Sequence, residues 1–357
     1  MHANDGLFGR LLRPPFGPSQ AEKAAGPENW HFSVARSHGE SCTKTPPLWT
    51  TRTRGAYKPP HPAAAENPLF SALSPTARGY LFALAAPLCW STGGVIMRSV
   101  ESGPWEMVFW RAFAHLLCFP FVYRALAGHW GPTSLRGNAR LATLSMLCVC
   151  GTFVLHVIAM NATTVANALL LQSTSPIMVA LLSWAMLRER VAAASWAAIA
   201  VAMAGLAIVM GAALSEGAML GKFAALGVAL CSAVNVILIR GQRAIDLRAA
   251  TIPAAAMACA IGLAFGAPFA IPAGSAAALF ALGFVQMTVG LTFFYSALKR
   301  LPAVQVVLIA LLEPILAPIW VWLAVGETPS AATILGGGIL LAALAFNALA
   351  AARTRAP

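Results

Sequence analysis

Charge is what this sequence has least of. Asp, Glu, Lys and Arg together make up 10% of its 357 residues, and only 12 of them are acidic. Soluble domains carry about 25% charged residues, so water is not the main solvent of this chain. The few acids also narrow the chemistry. Those beyond Gly79 (Glu101, Glu106, Glu189, Glu216, Asp246, Glu313 and Glu327) are scattered along the chain. An intramembrane enzyme acting on lipid-linked substrates usually needs clustered acids for a metal or a diphosphate. A phosphate-binding loop is missing too, because Gly217-Ala218-Met219-Leu220-Gly221-Lys222 has the wrong spacing for one. That argues against an ATP-driven pump. Cys42, Cys89, Cys118, Cys148, Cys150, Cys231 and Cys259 show neither zinc spacing nor a disulfide framework. They read as small packing residues. No metal and no cofactor is expected.

What is abundant is apolar surface, at 59% of residues. Lys and Arg outnumber Asp and Glu by 24 to 12, a net charge of +12. These cations flank apolar segments and do not form a stripe, so they report membrane topology, and nucleic acid is not an expected partner. Two regimes follow each other. Residues 1–77 are rich in Pro, Ser, Thr, Gly and Ala, with runs such as Arg13-Pro14-Pro15 and Lys58-Pro59-Pro60, and show no apolar periodicity. This stretch reads as a disordered N-terminal tail without the apolar core of a secretory signal.

From Gly79 onward, apolar spans follow near 79–98, 104–123, 141–161, 163–187, 194–212, 221–240, 251–270, 276–298, 301–325 and 331–351. Each is about 20 residues, enough for the ~30 Å hydrocarbon core. The expected fold class is therefore an all-α polytopic membrane protein with ten transmembrane helices. With the N-terminus inside, the inner loops hold Arg124, Arg136, Arg140, Arg188, Arg190, Arg240, Arg243, Arg248, Lys299 and Arg300, and the tail adds Arg353 and Arg355. Arg98 and Lys222 are left outside. This bias puts both termini in the cytoplasm. The Ala-rich, short-loop style points to a bacterial inner (plasma) membrane.

The two halves resemble each other. At an offset of 142, Gly79, Cys89 and Arg98 fall on Gly221, Cys231 and Arg240. At an offset of 138, Pro176, Ile177, Trp184 and Glu189 fall on Pro314, Ile315, Trp322 and Glu327. Residues 79–212 and 221–351 thus read as two five-helix repeats. An odd number of spans inverts the second copy, which is the architecture of alternating-access carriers.

Four motifs carry a family resemblance: Leu88-Cys89-Trp90-Ser91, Phe109-Trp110-Arg111, Ser175-Pro176 through Arg188-Glu189, and Glu313-Pro314 through Gly326-Glu327. Through them, residues 79 to about 350 resemble the EamA family of the drug/metabolite transporter superfamily. The resemblance implies ten helices, cytoplasmic termini and transport of metabolites, amino acids or drugs, often outward. Two positions depart from the family pattern. Ser91 stands where a Gly is usual, and Gly326-Glu327 has Arg188-Glu189 as its first-half counterpart.

Glu313 is the sharpest site candidate. It lies about midway along the ninth span, where a carboxylate needs a partner, a proton or a wet cavity, and Pro314 and Pro318 break the helix beside it. It is the expected proton-coupling group. Cavity candidates are Trp90, Arg111, His115, Gln172, Ser175, Asn235, Thr288, Thr292 and Tyr295. Arg111 and His115 share a face of span two, Gln172 and Ser175 a face of span four, and Thr288, Thr292 and Tyr295 follow i, i+4, i+7 on span eight. Each has a structural alternative: snorkelling or pairing for Arg111, and interhelical hydrogen bonding for the neutral polar residues. His156 reads as a packing residue. Small residues at Ala200, Ala204 and Ala207 and at Gly338, Ala342 and Ala345 predict that spans five and ten pack on each other through those faces. The expected function is a secondary carrier of small organic solutes, directed outward and coupled to protons. The alternative is the intramembrane enzyme; a channel would need a filter ring. Expected partners are a small-molecule substrate and the lipid bilayer, with a homodimer left open.

Overall fold

The computed structural model describes residues 73–353, apart from 129, 131–134, 136–137, 189–190, 211–217, 243–245 and 326–330. Residues 1–72 of the expected tail, and Glu189 and Glu327, lie outside the described residues. Within them every regular element is helical. Helix α1 (Pro75–Ser91) starts ahead of the expected Gly79, because Ser74 accepts a hydrogen bond from the Ala77 N–H at 3.2 Å and Pro75 opens the first turn. It gives way at Thr92 to α2 (Gly93–Ser99), where the Ser91 and Thr92 hydroxyls donate back to the Leu88 and Cys89 carbonyls. Helix α3 (Pro104–Ala127) opens on a proline, carries Glu106 in its first turn, and ends at Gly128 with φ 77°. Then come α4 (Ala139–Ala162), α5 (Val165–Gln172), α6 (Ser175–Met186), α7 (Ala193–Met210) and α8 (Met219–Gly241). A 3₁₀ turn (Leu247–Ala250) leads into α9 (Thr251–Phe265), and α10 (Ala273–Gly283) runs through a π turn (Phe284–Gly290) into α11 (Leu291–Leu298). Helices α12 (Ala303–Ala310), α13 (Glu313–Val325) and α14 (Ala331–Arg353) complete the order.

Five helical stretches are long and apolar enough to cross a membrane: Ala139–Ala162, Asn167–Met186, Met219–Gly241, Leu247–Phe265 and Ala273–Leu298. Shorter apolar helices cover Ala193–Ile208, Ala303–Ala317 and Ile334–Ala350. The outer surface is apolar as well, with Phe121, Trp184, Leu220, Phe223, Phe265 and Leu335 all exposed. Such a surface suits lipid, where helices keep every backbone hydrogen bond internal.

Two cores hold the bundle, and each draws on both halves of the chain. One gathers Ala83 of α1, Val179 of α6 and Ala202 of α7 with Ile237 of α8, Leu298 of α11, Leu308 of α12 and Leu340 of α14. The other joins Val108 of α3 and Phe153 of α4 to Ala255 of α9 and Leu279 of α10. The halves are thus interleaved, and neither builds either of these cores alone.

Helices α7 and α14 pack on each other, but through other faces than the small-residue stripes suggest. Ala200, Ala204, Ala207, Gly338, Ala342 and Ala345 are all exposed. The buried face of α7 is Ser195, Ala198, Ile199, Ala202, Gly205 and Leu206. It meets Gly336, Leu340, Ala343 and Asn347 of α14. Two facts explain the difference. Ser195 donates to Asn347 Oδ1 at 2.9 Å, a polar pair that would be unfavourable facing hydrocarbon. A Cβ on Gly205 would stand 2.7 Å from the Gly336 carbonyl oxygen, so the closest backbone approach lies on that side. In Ala-rich helices small residues mark several faces, and the buried polar pair selects among them.

Between α8 and the 3₁₀ turn, Asp246 accepts from the Arg248 N–H, pairs with the Arg248 guanidinium and lies 3.9 Å from Lys299 Nζ. Burial pushes this carboxyl up, but the Arg248 hydrogen bonds and the charges of Arg248 and Lys299 outweigh it and hold Asp246 below its usual range.

Candidate functional site

Two helices are broken at matching places. Between α5 and α6, the Thr174 N–H bonds the Leu171 carbonyl, and the N–H groups of Ile177 and Met178 both bond the Thr174 carbonyl. Between α12 and α13, Leu312 bonds Ile309, and Ile315 and Leu316 both bond Leu312. The second set is the first displaced by the 138-residue offset, so the backbone repeats its hydrogen-bond pattern along with its prolines. Pro176 and Pro314 lack the N–H that would continue the helix. In the first half the Ser173 and Thr174 hydroxyls satisfy the Leu169 and Leu171 carbonyls, at 2.6 and 2.7 Å.

Both breaks open on one cavity of about 170 Å³. Its walls come from α1, α3, α4, α5, α6, α8, the π turn, α11, α12 and α13, and so from both halves. Among the described residues, α2, α7, α9, α10 and α14 contribute none of its lining. The cavity is chiefly apolar, with Val149, Phe153, Leu169, Phe294 and Leu311 among its lining. Trp90, Arg111, Gln172, Ser175, Asn235, Tyr295 and Glu313 are all among its lining residues.

Three further candidates lie beside the cavity and not on its wall. His115 is fully buried, stacked on Phe119 with ring centroids 4.5 Å apart, and its Nδ1 is 3.2 Å from Thr288 Oγ1. Thr292 donates back to the Thr288 carbonyl at 2.6 Å. For Thr288 and Thr292 the cause is the π turn, whereas His115, on α3, packs on Phe119 and meets Thr288. The turn's i→i+5 register takes in an extra residue, so the i, i+4, i+7 face expected from an unbroken α-helix does not survive. Thr288 turns toward α3, and Gln286 takes the wall in its place.

Gln286 is the residue sequence reasoning missed. Its Oε1 accepts from Arg111 Nη2 at 2.9 Å, its Nε2 donates to the Trp90 carbonyl at 2.6 Å, and its own carbonyl accepts from Trp90 Nε1 at 3.0 Å. One side chain thus ties α1, α3 and the π turn together. A Cβ on Gly93 would run into the Gln286 amide, so glycine there makes the contact possible. His156, expected from the sequence to be a hydrogen-bonded packing residue, does pair with Gln172, its Nδ1 2.9 Å from Oε1, and it also lines the cavity. Thr152, one turn earlier on α4, shares that wall, and this i, i+4 polar pair was the available signal. Elsewhere on the lining Asn235 accepts from Ser145 at 2.7 Å and donates to the Tyr295 hydroxyl at 3.3 Å.

The charged pair completes the site. Arg111 is 3% exposed. Glu313 begins α13. Both line the same cavity, yet no ion pair within 4.0 Å joins them among the described residues. A single cavity therefore holds one guanidinium and one carboxylate that are not locked together.

Comparison with known proteins agrees with this architecture. No curated protein matches the chain. A solved crystal structure, described only as that of a protein, aligns with 78% of this chain and 99% of its own, with a TM-score of 0.65 and 19% identity. That likeness concerns the fold. The model of the EamA-like transporter family matches twice, over residues 77–211 and 219–349, close to the two repeats read from the sequence. The chain is an integral membrane protein and belongs to the EamA-like transporter family, within the drug/metabolite transporter superfamily.

Proposed function

We propose that the protein is an alternating-access secondary carrier that moves small organic solutes outward, with the shared cavity as its solute site and Glu313 as its proton-coupling group. One observation carries this reading: a single cavity is walled by both repeats and faced by two matched helix breaks. In carriers built from repeats, discontinuous helices present unpaired backbone and half-helix termini to the solute at the repeat interface. Ten spans, five in each repeat, place the second copy upside down relative to the first. The positive-inside bias then puts both termini in the cytoplasm. Glu313 suits coupling because it is a cavity carboxylate without a fixed ion-pair partner, able to exchange a proton for another contact.

The test is counterflow in liposomes reconstituted with the purified protein, using a panel of labelled amino acids and other small metabolites. A carrier shows saturable uptake accelerated by the same solute on the far side; uptake indifferent to it refutes the reading. Glu313→Gln keeps size and most hydrogen bonding, so it should spare exchange and abolish proton-driven accumulation. A mutant with unchanged pH dependence would remove Glu313 from the coupling role. Turnover of a lipid in detergent would favour the enzyme alternative, which gains no support from the cavity.

A further inference from the structure

Three buried side-chain atoms of cavity-lining residues have no hydrogen-bond partner among the described residues: Arg111 Nε, Gln172 Nε2 and Ser175 Oγ. The first two are obligate donors, and the third carries a donor hydroxyl. Their neighbours hold them in place. Gln286 grips the Arg111 guanidinium by Nη2, and His156 occupies the Gln172 oxygen, which leaves the amide nitrogen without a partner among the described residues. Buried donors are nearly always paired in native structures, so three on one wall call for an acceptor brought by a ligand.

The two helix breaks show what kind of acceptor. Ser175 and Glu313 occupy equivalent positions, each as the first residue of the helix after its break. At α13 the protein supplies its own carboxylate to that N-terminus. At α6, a helix of 12 residues, the same position has a hydroxyl, no acidic residue in the first turn, and no side-chain cap. The N-terminal end of a helix favours negative charge through its dipole, and at α6 the side chains must supply the donors, because the Ile177 and Met178 N–H groups bond the Thr174 carbonyl and Pro176 has none. The second half is thus an internal template for the first: what Glu313 provides at one N-terminus is missing at the other, which faces Arg111's cavity.

We propose that Arg111, Gln172 and Ser175 form a carboxylate subsite at the N-terminus of α6, so that the solutes carried are organic monocarboxylates. Their apolar bodies lie against Phe153, Leu169 and Phe294. Arg111 is the one guanidinium on the cavity lining, and with the Glu313 carboxyl protonated it matches a single negative charge and leaves a polyanion poorly balanced. The proposal rests on the carrier reading of the same cavity and refines its substrate class.

Binding can be read without transport. The purified full-length protein in detergent is unfolded by heat in the presence of 3-phenylpropionate, its neutral amide 3-phenylpropionamide, or inorganic phosphate. The carboxylate should raise the unfolding temperature in a saturable way, and the amide and phosphate should not. Ser175→Ala removes a hydroxyl without a hydrogen-bond partner among the described residues, so it should fold as the parent does while binding the carboxylate about tenfold more weakly, the equivalent of one lost hydrogen bond. Gln172→Leu should act in the same direction, and Arg111→Gln should abolish the effect where it folds. Equal protection by the amide would overturn the subsite in favour of a merely apolar cavity. Equal protection by phosphate would overturn the organic-carboxylate assignment, and so would no protection by any probe at millimolar concentration. Unchanged affinity in Ser175→Ala would do the same for the α6 terminus. Counterflow separates the two readings. Exchange of solutes without carboxylate protection would leave the carrier standing and the subsite refuted; carboxylate protection without exchange would do the reverse.

Discussion

If Gln286 is what positions Arg111, then losing it should cost more when Arg111 is present than when it is absent. Both side chains are 3% exposed, and their bond is charge-assisted at 2.9 Å. Gln286→Leu keeps the volume but removes that acceptor and the donor to the Trp90 carbonyl. Hydrogen bonds to charged groups contribute about 1.5–3 kcal/mol, and neutral ones about 1 kcal/mol. The single mutant should therefore lose roughly 2–4 kcal/mol. In Arg111→Met the guanidinium is gone, and Gln286→Leu should then cost only its Trp90 bond, about 1 kcal/mol. The coupling energy of the cycle should be about 1–3 kcal/mol, above the ~0.6 kcal/mol average of interhelical hydrogen bonds in membranes, because one partner is charged. Equilibrium unfolding in mixed micelles, followed by tryptophan fluorescence, measures all four variants. Additivity within about 0.5 kcal/mol would refute the reasoning, since uncoupled sites behave that way.

Two other predictions test the packing and the loop. A Ser195→Cys, Asn347→Cys pair replaces two hydrogen-bonded side chains and should form a disulfide within one chain, while Ala204→Cys with Ala342→Cys should not; the opposite pattern on a gel would reverse the assignment of the α7–α14 interface. Asp246 is held below its ordinary value of 3.8, so it stabilises the fold at neutral pH and loses that contribution as pH falls through the lowered value. Asp246→Asn should therefore be less stable near pH 7 and show a flatter acid limb in thermal unfolding. Parallel profiles for parent and mutant would show that the Arg248 and Lys299 contacts add nothing.

Much of this molecule is written in its linear order. Apolar runs broken by short cationic loops mean helices in lipid, because only internally bonded backbone is tolerated there. The 138-residue offset relating Pro176 to Pro314 marks a duplication, and the structure repeats it down to individual backbone hydrogen bonds. Polar residues inside apolar spans were sound guides to the cavity where the helix keeps its regular period, as with Trp90, Arg111 and Asn235.

Tertiary structure decided what periodicity could not. The π turn rotates Thr288 away and brings Gln286 to the wall, and nothing in the spacing announces a change of register. Which face of α7 meets α14 depends on the partner helix, since Ala-rich segments offer several small faces and only Ser195 facing Asn347 chooses one. The pairing of His156 with Gln172 joins two helices, and the core of each half is completed by the other. Composition and period are local properties, and so the sequence by itself determined solvent, element type and repeat. The site is a meeting of side chains brought together from both halves, and that only the packed bundle could decide.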